Sequence, residues 1–90
     1  MNKTIVTLVG KDNVGIIAAV CNYFADNKIN ILDIKQTTVD VYINMMMIVD
    51  TDKYEKSFVE LSEDLKKVGE SVGCIIQAQH EDLFNMMHRI

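Results

Sequence analysis

Residues 29–50, INILDIKQTTVDVYINMMMIVD, decide how this chain folds. They read as two consecutive strands, about 29–39 and 41–49, joined by a turn near Thr38 to Val41 around Asp40. No Asn-Gly or Asp-Gly pair marks that turn. Side chains alternate across a strand. Val41, Ile43, Met45, Met47 and Val49 therefore share one face of the second strand, and Tyr42, Asn44, Met46 and Ile48 share the other. Both faces are largely apolar. One is expected to pack on helices, and a partner subunit is the simplest candidate for covering the other.

Upstream, KTIVTLV at 3–9 reads as a strand and GKDN as a loop, with Asp12 or Asn13 placed to cap a helix from about Val14. Ile17, Val20 and Phe24 make one helical face, widened by Ile16 and Tyr23. The stretch ADNKIN ends the helix, because Asp26 and Asn27 are weak helix formers. Downstream, Asp52 followed by Glu55 resembles a capping box. Tyr54, Phe58, Leu61, Leu65 and Val68 then repeat at helical spacing. Lys66 and Lys67 would occupy the last turn, where they suit the helix dipole, and Gly69 or Gly73 would end it. CIIQAQ at 74–79 reads as a fourth strand. The tail EDLFNMMHRI, 81–90, is short and amphipathic, with Leu83, Met87 and Ile90 on one side, and reads as a turn or two of helix. The order predicts an α+β fold, ferredoxin-like βαββαβ. A four-stranded antiparallel sheet would carry two helices on one face, plus a short C-terminal helical tail.

The chain has 90 residues, enough for one domain spanning 1–90. A chain this small buries only ~60% of the surface its unfolded form exposes, which favours self-association as a homodimer. Nine basic residues against thirteen acidic ones give a net charge of −4, so nucleic acid is not an expected partner. No apolar run approaches a membrane span, and the first residues do not resemble a signal peptide. Cys21 and Cys74 lie far apart without a CxxC motif and are expected as buried free thiols of a reducing compartment, the cytoplasm.

Several chemistries use this architecture, and the residues discriminate among them. A soft-metal carrier needs paired thiolates, and the first loop, GKDNVG, has none. A reader of single-stranded nucleic acid needs aromatics on the central strands, which offer only Tyr42. A phosphate-cleaving enzyme would want an arginine in the first loop, yet the one arginine is Arg89. His80 and His88 do not stand at one-turn chelate spacing, so no metal site is expected. Ser57, Ser62 and Ser71 have no nearby histidine in sequence, and carboxylates occur singly. No catalytic residues and no cofactor are expected, and the chain reads as a non-enzyme.

The remaining option is a small-molecule sensing module, and here the residues carry a resemblance. The segment VTLVGKDNVGIIAAVCNYFADNKINILDIKQ, 6–36, resembles the opening of an ACT domain. It has a hydrophobic strand, G-K-D-N-V-G-I, an apolar helix and N-I-L-D-I. The later strand Y-I-N-M-M-M-I-V-D, 42–50, fits the same pattern. The variant is similar to the ACT domains of the glycine-cleavage regulator and of formyltetrahydrofolate deformylase. The ending F-N-M-M-H-R-I, 84–90, resembles small stand-alone ACT proteins. Where many amino-acid-binding ACT domains carry proline before the loop glycine, this chain has Val14.

The resemblance implies a ligand site of amino-acid class at the first loop and helix start. The loop supplies Gly10, Lys11, Asp12 and Asn13, and the helix start Val14, Gly15 and Ile16. The start of the second strand, Asn30 and Ile31, is implied to lie near the loop, often across a subunit boundary. A helix N-terminus favours a carboxylate, Asp12 suits an α-ammonium group, and the Asn30 amide offers both a donor and an acceptor. Each residue also has a plain structural reading. Asp12 or Asn13 would cap the helix, Gly15 would permit close packing, and Asn30 would satisfy a turn. The expected function is a non-catalytic regulatory module that dimerises through strand edges or helices side by side and binds an amino acid or related metabolite at the interface. Its output would pass to an enzyme or regulator outside this chain. The alternatives are a ligandless protein-interaction module and a regulatory subunit of a partner enzyme.

Overall fold

The computed structural model describes residues 2–11 and 14–80. Six elements follow one another: β1 (Lys3–Lys11), α1 (Val14–Asp26), β2 (Asn30–Val39), β3 (Tyr42–Asp50), α2 (Phe58–Val72) and β4 (Cys74–His80). The strands form one antiparallel sheet in the order β2-β3-β1-β4. This is the ferredoxin-like arrangement expected from the sequence. The tail 81–90, expected as a helical turn or two, lies outside the described residues.

The central strands carry the core. Val6 and Leu8 of β1 stand opposite Met47 and Met45 of β3, and all four are buried. Ile43 and Val49 complete that face of β3, as its alternation predicted. Val41 does not join them: it sits half-exposed in the turn, outside β3. Ile16, Val20 and Phe24 of α1, Leu61 and Leu65 of α2, and Ile76 of β4 close the same cluster. Both helices therefore cover one face of the sheet.

The turns differ from expectation in instructive ways. Asp40 adopts φ 56 between Val39 and Tyr42, so the short polar side chain takes the left-handed position that glycine usually fills. At the end of α1, the Ile29 N–H donates to the Phe24 carbonyl at 2.9 Å and the Lys28 N–H to that of Ala25 at 3.4 Å. Lys28 sits between them at φ 60. This is a Schellman turn, with buried Ile29 and Phe24 at the two positions that usually touch. The helix thus ends through its hydrogen bonds and an apolar clasp, beyond what the weak propensities of Asp26 and Asn27 supply.

Four expectations are corrected. β1 does not stop at Val9: Gly10 and Lys11 continue it, paired with Ile43 and Tyr42. The capping box is not Asp52–Glu55. Ser57 caps α2, its Oγ accepting from the Glu60 N–H at 3.2 Å, so the helix begins one turn later. Asp52 instead accepts from the Asn2 N–H at 2.8 Å, tying the chain's start to the loop after β3. Lys66 and Lys67 lie mid-helix, because α2 runs on to Val72, where Gly73 closes it at φ 75 with its N–H on the Gly69 carbonyl. Gly69 stays buried inside the helix. The two cysteines are free as expected, but half-buried rather than buried.

A polar pin joins the helices. The Tyr23 hydroxyl donates to Asp64 Oδ2 at 2.9 Å and lies 3.3 Å from the Tyr54 hydroxyl, with Lys56 Nζ 3.5 Å from the same carboxylate oxygen. Burial, first of all, then the hydrogen bonds to Tyr54 and Asp64, push the Tyr23 phenol well above its ordinary range. The unfolded chain releases this proton near pH 10, whereas the folded chain keeps it. The associated stability is complete below about pH 10 and is lost as pH rises beyond it. Urea unfolding followed from about pH 9 to about 11 should show a fall in stability that is steeper in the native chain than in Tyr23→Phe. Equal slopes would show that the phenol ionises as freely in the folded chain as in the unfolded one.

Candidate functional site

The loop predicted to bind a ligand lies where β1 passes into α1. Gly10 and Lys11 belong to the strand, and the backbone of Val14 opens the helix. Asp12 and Asn13 lie outside the described residues. Gly15 is exposed at the helix start, so it does not serve close packing of helix on sheet. Ile16 is buried in the core, which leaves only its backbone for a ligand. Gly10 has a packing role of its own. A Cβ built there would stand 2.6 Å from the Cys74 Cβ and 3.4 Å from the Ile16 Cδ1. Beside it, Val9, Lys11, Tyr42, Glu70 and Ile75 border a shallow, mainly apolar cleft of about 360 Å³.

Asn30 and Ile31 are elsewhere. They open β2, opposite Asp50 and Val49, and Asp50 in turn faces Lys3 at the start of β1. Lys11 lies eight residues farther along β1, about 26 Å at strand rise. Within one chain, the loop and the β2 start therefore sit at opposite ends of the sheet. A second copy would be needed to bring them together.

The end that carries Asn30 has chemistry the sequence reading missed. Lys28, Ile29, Asn30, Asp50 and Lys53 line an open cleft of about 490 Å³. Two ammonium groups and a carboxylate border one concavity, which suits a zwitterion with a carboxylate of its own. Lys28 also pairs loosely with Glu55, at 3.6 Å across an exposed surface. Pair register assembles this set: Asp50 arrives by pairing with Asn30, and Lys28 by the Schellman turn. The sequence signal was limited to Lys28 standing two residues before Asn30.

Chemical reactivity is muted. The Cys74 thiol is pushed up by burial, so its nucleophilic thiolate is disfavoured. Ser57 and Ser71 are engaged locally, the first as the α2 cap and the second through a 2.7 Å bond to the Val68 carbonyl. Among the described residues no group of three or more His, Cys, Asp or Glu side chains is placed to hold a metal. No described helix is long and apolar enough to cross a membrane. Among the described residues, the charged groups gathered at the Asn30 end are of a kind that can hold a small polar molecule.

Comparison with known proteins gives the same frame. An ACT domain family profile matches residues 2–79. A UPF0237 protein of Bifidobacterium longum is 49% identical over 90 residues, covering 100% of both chains. A UPF0237 protein of Methanocaldococcus jannaschii is 41% identical over the same full length. Among solved structures, an ACT domain protein from Streptococcus pneumoniae superposes with a TM-score of 0.81 at 36% identity, covering 92% of this chain and 93% of that one. A formyltetrahydrofolate deformylase from Pseudomonas syringae gives 0.80 at 17% identity over 88% of this chain and 27% of its own, a likeness of fold alone. A protein assigned as a glycine cleavage system transcriptional repressor likewise gives 0.72 at 18% identity, over 87% of this chain and 44% of its own. The βαββαβ sheet, the profile match over nearly its whole length and the end-to-end identity to UPF0237 proteins together make this chain a member of the ACT domain family.

Proposed function

We propose that the chain is a non-catalytic regulatory module that binds an amino acid or related small metabolite across a homodimer interface. One observation carries this reading: β2. It is an edge strand, exposed on both faces along almost all its length, and α1 makes only slight contact with it. Leu32, Ile34 and Val39 leave apolar surface open on it. An edge of this kind is a template for pairing with another chain. Two copies joined antiparallel through β2 would extend the sheet to eight strands. The Asn30 end of one copy would then approach the β1–α1 end of the other. The charged cleft at Asn30 and the helix start at Gly15 would face one ligand, and its binding would favour the assembled state.

The membership in the ACT family supports a small-molecule sensor, and the free thiols fit a cytoplasmic setting. A second reading, a ligandless interaction module or the regulatory subunit of a partner enzyme, draws support from exposed Val9, Tyr42 and Ile75 on the sheet face away from the helices. A thermal-shift panel of amino acids and one-carbon metabolites, run with light scattering, separates the two. A saturable rise is expected, amounting to about 2.7 kcal/mol of stabilisation at a ligand concentration one hundred times Kd. In the double variant Asp12→Ala, Asn30→Ala the dimer should persist and the rise should vanish. An unchanged rise would remove these two residues from the site, and a dimer without any rise would favour the interaction module.

A further inference from the structure

The cleft at the Asn30 end carries opposite charges that do not neutralise one another. Lys28, Asp50 and Lys53 line it beside Asn30 and the buried Ile29. Among the described residues, no ion pair joins Asp50 to either lysine. The Lys53 ammonium and the Asn30 side-chain amide have no partner there either. Asp50 is nonetheless held in place. Its Oδ1 accepts the Asp52 N–H at 2.9 Å, which orients the carboxylate and leaves the second oxygen for another donor. Lys28 is set at its backbone by the Schellman turn, and its ammonium meets only Glu55, at 3.6 Å, with the two side chains 65% and 83% exposed. An ion pair that exposed holds weakly. Glu55 does not line the cleft. It belongs to a smaller adjoining hollow of about 120 Å³, with Asp26 and Lys56, that the two lysines also border.

We propose that this cleft selects an acidic α-amino acid, of the aspartate and glutamate class, over a neutral one. The inference rests on the ligand reading above and narrows it. Such a molecule carries two carboxylates and one ammonium. The cleft offers two ammonium groups and one carboxylate, so every charge meets its opposite. The ligand's ammonium faces the open oxygen of Asp50, which is already oriented before binding. One carboxylate goes to Lys53, and the other takes Lys28 from Glu55. The Asn30 amide donates to a carboxylate or accepts from the ammonium. A neutral amino acid leaves one lysine without an anion from the ligand. A dicarboxylate lacking the ammonium brings only like charge to Asp50. Glu55 is then a tethered competitor, which neutralises Lys28 while the cleft is empty and yields it when the ligand arrives.

The test titrates the full chain, labelled with nitrogen-15, and follows the backbone amide resonances of residues 28–30, 50 and 53. The compounds are L-glutamate, L-aspartate, L-glutamine, L-asparagine and glutarate. Saturable shifts are expected with L-glutamate or L-aspartate, at a Kd lower by about tenfold than that of the matching amide, and lower than that of glutarate. Lys53→Gln should erase most of the preference for acid over amide. Glu55→Gln should tighten the acid severalfold and leave the amide unchanged, which a purely structural role for Glu55 would not do. Amides that bind at this place as tightly as the acids would overturn the proposal and leave an amino-acid sensor standing. Glutarate binding as tightly as L-glutamate would remove Asp50 from its role and overturn it too. No shift with any of these compounds would also overturn it, and the thermal-shift panel then judges the broader reading separately, because a rise with another amino acid keeps that reading.

Discussion

Phe24→Ala is expected to remove a large part of the folding free energy. Phe24 is 1% exposed, between Val20, Ile29 and the central strands' apolar face. Truncating a buried phenylalanine costs about 3–5 kcal/mol. At roughly 0.05–0.15 kcal/mol per residue, a chain of this length has about 5–13 kcal/mol to lose from. The ring also clasps Ile29 at the Schellman turn, so the variant loosens both the core and the passage from α1 into β2. Urea unfolding should show the drop in midpoint, while Phe24→Leu, which keeps most of the volume, should lose less than about 1.5 kcal/mol. A Phe24→Ala midpoint within error of the native one would mean that the ring is not in the core.

Gly10→Ala should be nearly as damaging, for a steric reason. The added methyl would meet the Cys74 Cβ at 2.6 Å, closer than two carbon atoms can stand, and that Cβ is fixed to the backbone of a paired strand. Forcing a methylene into a packed core costs about 1–3 kcal/mol, and here the strain falls on the β1–β4 pairing. The cause can be isolated. Cys74→Gly removes the obstructing carbon, so Gly10→Ala combined with Cys74→Gly should be less destabilised than the sum of the single variants. Cys74→Ala keeps the carbon and should give no such relief. Strict additivity in both pairs would dismiss the clash.

The sequence carried the fold because the central strand β3 packs one face and leaves the other open. Its period of two puts Ile43, Met45, Met47 and Val49 on the buried face, although Met46 and Ile48 leave the other face apolar in part as well. The start of α2 misled because Tyr54 continues the apolar spacing upstream. Tyr54 is held by the loop and by the Tyr23–Asp64 pin, not by a helical turn. The real signal, Ser57 three residues before Glu60, was present and weaker to the eye than the hydrophobic run. Lys28 was illegible as a turn residue, because lysine has no preference for positive φ. Only the Phe24–Ile29 clasp and its hydrogen bonds hold it there.

The candidate site was half legible. A glycine-bearing strand-to-helix passage is a local pattern, and Gly10 to Ile16 could be read from it. That Asn30 lies at the far end of the sheet is a property of topology, visible only when β1, β3 and β2 are placed in register. The charges at Lys28, Asp50 and Lys53 come together through the same register, and no spacing in the sequence announces them.

The placement of β1 between β3 and β4 also sets the order in which the chain can be completed during translation. The first of the described strands to be made pairs with β3 once the hairpin has emerged, but its other edge waits for β4, the last of the described elements. Pairing Thr4 with His80 joins nearly the two ends of the described chain, a long-range closure that slows folding. Until β4 emerges, a nascent chain presents the open edge of β1, with Ile5 to Val9 in extended form, to any neighbour able to add a strand. Chains truncated or stalled before β4 should therefore be the aggregating species, and conditions that delay the synthesis of β4 should lower the yield of folded protein.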